Sequence, residues 1–152
     1  MARLEIVSAG NNFLKGEYAK AALQYLTASR MEAFVKDEPK KIALVETAIA
    51  FAFIAPIGAE SHKTVCSLCL NETAKRTNYY PLVSKLYRED IISQKDVEAV
   101  SVYLPEVLKV KDADGVSVLE QSAFSRNMIP IINSFSTVKL STLLRLSAVN
   151  SE

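Results

Sequence analysis

The run from Ile42 to Ile57 constrains this chain most. It reads Ile-Ala-Leu-Val-Glu-Thr-Ala-Ile-Ala-Phe-Ala-Phe-Ile-Ala-Pro-Ile, and only Glu46 and Thr47 interrupt its apolar character. Its alanine and leucine content favours helix, and it is longer than an ordinary strand. Pro39 suits a first helical turn, and Pro56 with Gly58 suits a stop. A helix that is apolar on nearly every face must be covered on nearly every face. The run is therefore expected in the middle of a helical stack, with Val45, Ile49 and Phe51 packed on both sides and Glu46 near an exposed edge. It is too short for a bilayer, which needs roughly 20 apolar residues.

The rest of the chain reads as shorter helices. Leu4, Val7, Asn11 and Leu14 fall at helical spacing, as do Tyr18, Ala21, Ala22, Tyr25 and Leu26. Lys15-Gly16 separates the two sets, and Gly16 suits the positive φ of a helix end. The pair predicts a hairpin of tetratricopeptide type, with Ala21 and Ala22 allowing close helix contact. One such hairpin cannot bury itself, so neighbours must stack on it. Met31 to Glu38 reads as a connection. Ser61 is expected to cap a helix to about Leu70, and Asn78 the next, with Tyr80, Val83, Leu86 and Tyr87 on one stripe. Ser93 opens a helix carrying Val97, Val100 and Leu104. Val107 to Lys111 reads as briefly extended, and Asp112-Ala113-Asp114-Gly115 as a turn. A helix from Val116 runs towards Asn127, where Pro130 either bends it or starts another. Ser136 is a candidate cap for a short amphipathic helix with Leu140, Leu143 and Leu144, and Ser147 for one more.

Charge and composition remove several function classes. Among 152 residues, 18 Lys and Arg face 17 Asp and Glu, so no bulk basic charge points to nucleic acid. Met-Ala-Arg-Leu-Glu lacks the order of a secretory signal, and two cysteines fit a reducing, intracellular setting. Asn71-Glu72-Thr73 matches a glycosylation sequon, read as chance. The single histidine, His62, leaves no His-x-His zinc pair and no base with a nucleophile placed beside it. His62, Cys66 and Cys69 share one helix face, but structural zinc takes four ligands, usually from two segments. No metal, no cofactor and no catalytic residue is therefore expected. Leu140 to Leu146 offers only Lys139 and Arg145 beside Ser, Thr and Leu, which fits protein contact better than base reading. Tyr79 and Tyr80 are candidate partner anchors, against the plainer reading of one tyrosine in the core and one on the rim.

A family resemblance sits on the second half. Tyr79-Tyr80-Pro81-Leu82-Val83-Ser84-Lys85-Leu86-Tyr87-Arg88-Glu89-Asp90-Ile91-Ile92 resembles a short repeat helix of PCI-domain proteins, the family of the signalosome, the proteasome lid and an initiation factor. Val102-Tyr103-Leu104-Pro105 is similar to the end of its next helix. Asp112-Ala113-Asp114-Gly115-Val116-Ser117-Val118-Leu119-Glu120 resembles the linker into the PCI domain, and Ser136 to Leu146 a helix of its winged-helix half. Upstream, Gly16 to Ser29 and the central run sit at matching distances. Pro130 and the missing wing depart from the pattern.

The resemblance implies an all-α fold of stacked helical hairpins, degenerate tetratricopeptide-like or PCI repeats, leading into the truncated start of a winged helix. Residues 1–111 would be the helical-repeat part, and residues 112–152 the linker helix and an incomplete winged-helix subdomain. The chain is thus expected to end inside its last domain. The implied role is that of a non-catalytic scaffold subunit of the COP-nine signalosome, which removes the ubiquitin-like Nedd protein from cullin ligases. Other PCI subunits and the catalytic subunit pair are the implied partners, with the cullin ligase touched indirectly and neither nucleic acid nor membrane. The implied location is cytoplasm and nucleus. Tyr79, Tyr80, Lys139 and Arg145 are the candidate protein-interface residues. A proteasome-lid scaffold is the alternative within the family, and a helix-turn-helix nucleic-acid-binding protein the alternative outside it.

Overall fold

Helix ends fall where glycine, proline and short polar side chains permit them. The computed structural model describes residues 2–113, 115–134 and 139–147. Helix α1 (Ala2–Leu14) turns back through Gly16 into α2 (Tyr18–Ser29). Gly16 has φ 74°, and the Glu17 N–H donates to the Asn12 carbonyl at 2.9 Å, closing the turn. The expected connection holds one helical turn, α3 (Glu32–Val35). Asp37 then caps α4 (Glu38–Ile54) by accepting from the Lys40 N–H, with Pro39 in the first turn.

Four short helices follow: α5 (Ala59–Cys69), α6 (Glu72–Arg76), α7 (Tyr80–Arg88) and α8 (Gln94–Ser101). Gly58, not Ser61, precedes α5, and Ser61 lies buried in its first turn. Asn71 caps α6 through the Ala74 N–H, so the sequon asparagine has a structural use. Tyr79, not Asn78, stands at the start of α7. Ser93 caps α8 as expected, in a reciprocal box with Asp96. The segment expected to be extended forms a 3₁₀ turn over Glu106–Leu108. Its only strand-like feature among the described residues is a single bridge from Lys111 to Ser117.

Helix α9 (Val118–Ser134) continues through Pro130, and α10 (Leu140–Ser147) packs on it. Ser147 closes α10. Phe135 and Ser136, and the residues after Ser147 that bear on a winged helix, lie outside the described residues.

The architecture is all-α, and α4 is its centre. Val45 and every residue from Ala48 to Ile54 are buried. Helix α4 touches α2, α3, α5, α6, α8 and α9, so its all-round apolar character is met by all-round contact. Helix α2 lies between α1 and α4, with Ala21 and Ala22 fully buried where the backbones approach.

The α1 stripe and one residue of the α7 stripe face solvent. Leu4, Val7, Asn11 and Leu14 point to solvent, and α1 turns Ala9 and Phe13 inward instead. The small Ala9 and a polar chain let α1 approach α2: Asn12 Nδ2 donates to Gln24 Oε1, and Gln24 Nε2 to Ser8 Oγ. On α7, Leu82, Val83 and Leu86 are buried, whereas Tyr87 is exposed and stacks on His62 at 6.1 Å.

Candidate interaction surface

The four predicted interface residues fall into two groups on separate elements. Tyr79 and Tyr80 begin α7, which packs on α5 and α6, whereas Lys139 immediately precedes α10 and Arg145 lies within it, and α10 packs on α9. Both tyrosines are half-buried and rest against the core. The Tyr79 ring meets Tyr103 edge-on at 5.2 Å, and the Tyr80 hydroxyl reaches the Cys69 carbonyl at 3.5 Å.

Tyr103 ties this corner to the central helix. Its phenol is pushed up from the ordinary value by the Tyr79 hydroxyl, then by burial and by the Glu46 carboxylate. Glu46, expected at an exposed edge, is instead half-buried beside Tyr103. The sequence hint was available: a carboxylate inside so apolar a run needs a polar partner.

Lys139, just before α10, and Leu140 and Arg145 on it are exposed. The segment thus shows both basic side chains and a leucine to solvent, a mixture suited to protein contact.

A part-buried cation that sequence reading passed over caps the end of the central helix. Arg126 of α9 donates from Nε to the Phe53 carbonyl at 2.8 Å, and from Nη2 to Ala52 at 2.8 Å and Ala55 at 3.1 Å. Ser122, one turn earlier, donates to the Ile54 carbonyl at 3.3 Å. The last carbonyls of a helix have no intrahelical partner, and Pro56 brings no N–H to the end of α4. Two side chains of α9 therefore complete that end. Burial pulls the Arg126 guanidinium down to about 10, with Glu89 opposing, so it stays charged at neutral pH.

A second buried anchor lies next to it. Asn127 Nδ2 donates to the Ile92 carbonyl at 3.0 Å, and its Oδ1 accepts from the Ile92 N–H at 2.7 Å. This fixes the segment between α7 and α8 onto α9.

Two clefts are lined by polar groups among the described residues. One, of about 40 Å³, lies between Ser61, His62, Lys85, Glu89 and Arg126, and has room for water rather than an organic substrate. A wider groove of about 500 Å³ runs past Gln94, Asp112, Val116, Glu120 and Phe124. Glu120 there is committed to the Ser117 N–H and hydroxyl. The Cys69 thiol is pushed up by burial and by Cys66, away from nucleophilic character. Among the described residues, no group of three or more His, Cys, Asp or Glu is placed to hold a metal, His62, Cys66 and Cys69 included. No helix among them is long and apolar enough to cross a membrane.

Comparison with known proteins finds distant relatives. No family model matches the chain. Curated relatives do. Subunit 4 of the COP9 signalosome complex from Drosophila melanogaster is 22% identical over 139 residues, covering 90% of this chain and 34% of the relative. The same subunit from Arabidopsis thaliana is 23% identical over 142 residues, covering 90% and 36%. That from Emericella nidulans is 22% identical over 107 residues, covering 70% and 26%. The chain is thus similar, distantly and across about a third of their length, to subunit 4 of the COP9 signalosome complex.

Proposed function

We propose that this chain is a non-catalytic scaffold module of a signalosome-type assembly. The observation that carries the reading is the similarity to subunit 4 over nine-tenths of the chain, joined to a helical stack centred on a buried α4. In this reading, residues 1–111 supply stacked helical hairpins. Residues 112–152 supply a linker helix and the start of a winged-helix half. By the PCI resemblance, such an assembly lines up its subunits and removes Nedd from cullin ligases, in cytoplasm and nucleus. Other PCI subunits and the catalytic pair would be the direct partners, and the cullin an indirect one.

The chemistry of the site supports a scaffold over an enzyme. The one histidine stacks on Tyr87, both cysteines are half-buried, and the part-buried cation Arg126 is spent on backbone carbonyls. Lys139 and Arg145 stand free of the core at α10 and are the first contacts to test, with Tyr79 and Tyr80 at the other corner.

The test is reconstitution. Signalosome subunits other than subunit 4 are co-purified, the chain is added, and co-elution on gel filtration is followed. Co-elution is expected, weakened by Lys139→Glu with Arg145→Glu. Co-elution with proteasome-lid subunits alone would move the chain to the lid. Duplex DNA binding with a steep salt dependence would replace the scaffold reading altogether.

A further inference from the structure

We infer that the outer face of α1 is a docking site for an acidic amphipathic helix of a partner protein. The inference rests on α1 alone and is independent of the assembly proposed above. Helix α1 is covered on one side by α2, where Ala9 is fully buried and the Phe13 ring meets Phe51 at 5.7 Å. On the opposite side Leu4, Val7 and Leu14 are 67%, 60% and 79% exposed. With the exposed Asn11 they form one stripe at i, i+3, i+7 and i+10, roughly 15 Å long. Single exposed leucines are ordinary, whereas here three large apolar side chains share one helix face, with Asn11 between Val7 and Leu14. Side chains at these intervals make the ridges between which another helix packs.

Charge decides the occupant. Arg3 and Lys15 are exposed and flank the stripe at its two ends, twelve positions or roughly 18 Å apart. The one carboxylate of α1, Glu5, lies about 100° round the helix from Leu4 and about 160° from Val7. The face therefore carries three apolar side chains and one asparagine, with a positive charge at each end. A second copy of this chain fits badly. Antiparallel pairing of two stripes sets Arg3 against Lys15, and parallel pairing sets like residue against like. A helix with leucine-type residues at the same spacing and carboxylates at its ends satisfies both features.

The probe is a synthetic, lactam-stabilised amphipathic helix of about 18 residues, with leucines at i, i+3, i+7 and i+10 and glutamates about twelve positions apart. Its twin carries lysines in place of those glutamates. Binding to the whole chain is read by fluorescence anisotropy. The glutamate peptide is expected to bind at least roughly tenfold more tightly than the lysine twin, with the difference shrinking in high salt. Val7→Ser, at an exposed position, should weaken it roughly tenfold while leaving the urea midpoint unchanged. Arg3→Glu with Lys15→Glu should reverse the preference between the two peptides. Absence of binding by either peptide, equal binding of both, or indifference to Val7→Ser overturns the inference. So does a concentration-dependent dimer in sedimentation that Val7→Ser abolishes, because the occupant is then a second copy.

Discussion

Phe51→Ala tests whether the N-terminal hairpin is held to the rest of the molecule by one aromatic contact region. The Phe51 ring is 2% exposed. It stacks on Tyr25 at 5.6 Å and on Tyr18 at 6.4 Å, and meets Phe13 edge-on at 5.7 Å. These three partners come from α1 and α2, so truncation empties the joint between that hairpin and α4. A core Phe→Ala change typically costs about 3–5 kcal/mol. Phe13, Tyr18 and Tyr25 are only half-buried, so they can fold into the gap and water can reach it. The lower end, about 3 kcal/mol, is therefore expected. That is a large share of the roughly 5–15 kcal/mol that holds a typical domain together. Urea unfolding gives the total, and amide exchange in α1 and α2 shows whether those helices open before α4. Thr47→Ala is the control: its hydroxyl only back-bonds to the Ala43 carbonyl, and a change within about 0.5 kcal/mol is expected. A Phe51→Ala loss below about 1 kcal/mol, in the range of ordinary surface changes, refutes the central position assigned to α4.

Arg126→Met should cost about 2–4 kcal/mol in urea unfolding, because three carbonyls of α4 lose a charged donor. Arg126→Lys should recover only part, since an ammonium cannot reproduce the fork. Asn127→Ala should cost about 2–5 kcal/mol, read in the same way, because both polar groups of Ile92 are left buried and unmet. For Asp96, burial favours the neutral acid, but bonds from the Lys85 ammonium and from the Ser93 hydroxyl and N–H outweigh it and hold the carboxyl below 3.8. A depressed folded value means that its stabilisation is present above 3.8 and lost as pH falls through the lower folded value. Asp96→Asn should therefore flatten part of the acid limb of a urea-midpoint profile, the rest belonging to Asp37, Glu72 and Glu120, which are also lowered.

Local signals carried most of the fold. The run from Ile42 to Ile57 marked a central helix because nothing polar interrupted it for long, and its neighbours do surround it. Ser93 with Asp96 three positions on marked a helix start by a side-chain pattern that works within one turn. Spacing alone did not say which stripe of α1 faces inward. Leu4, Val7 and Leu14 give the more apolar stripe, but close approach of two helices favours small residues, and Ala9 faces Ala-rich α2. The Glu46 and Tyr103 contact joins residues far apart in sequence, as does the Tyr79 and Tyr103 contact, so no window of periodicity contains them. Arg126 was hidden for the same reason: its acceptors lie 71 to 74 positions upstream and are backbone atoms, which leave no trace in residue identity.

Those backbone acceptors explain how one helix serves both ends of the molecule. The apolar surface of α4 would pack against many neighbours with little preference, since apolar contact is non-directional. Its C-terminal carbonyls are directional. Ala52, Phe53, Ile54 and Ala55 each accept from Ser122 or Arg126, so the register of α9 against α4 is set by hydrogen bonds within one turn. A slide of α9 by a single residue would turn Arg126 about 100° away and leave those carbonyls buried without donors. On the opposite side the α1 and α2 hairpin is held by packing: Phe13, Tyr18 and Tyr25 meet Phe51, and Ala21 and Ala22 are fully buried. The stack is thus fixed by directional hydrogen bonds at its α9 joint and by close apolar packing at its N-terminal one.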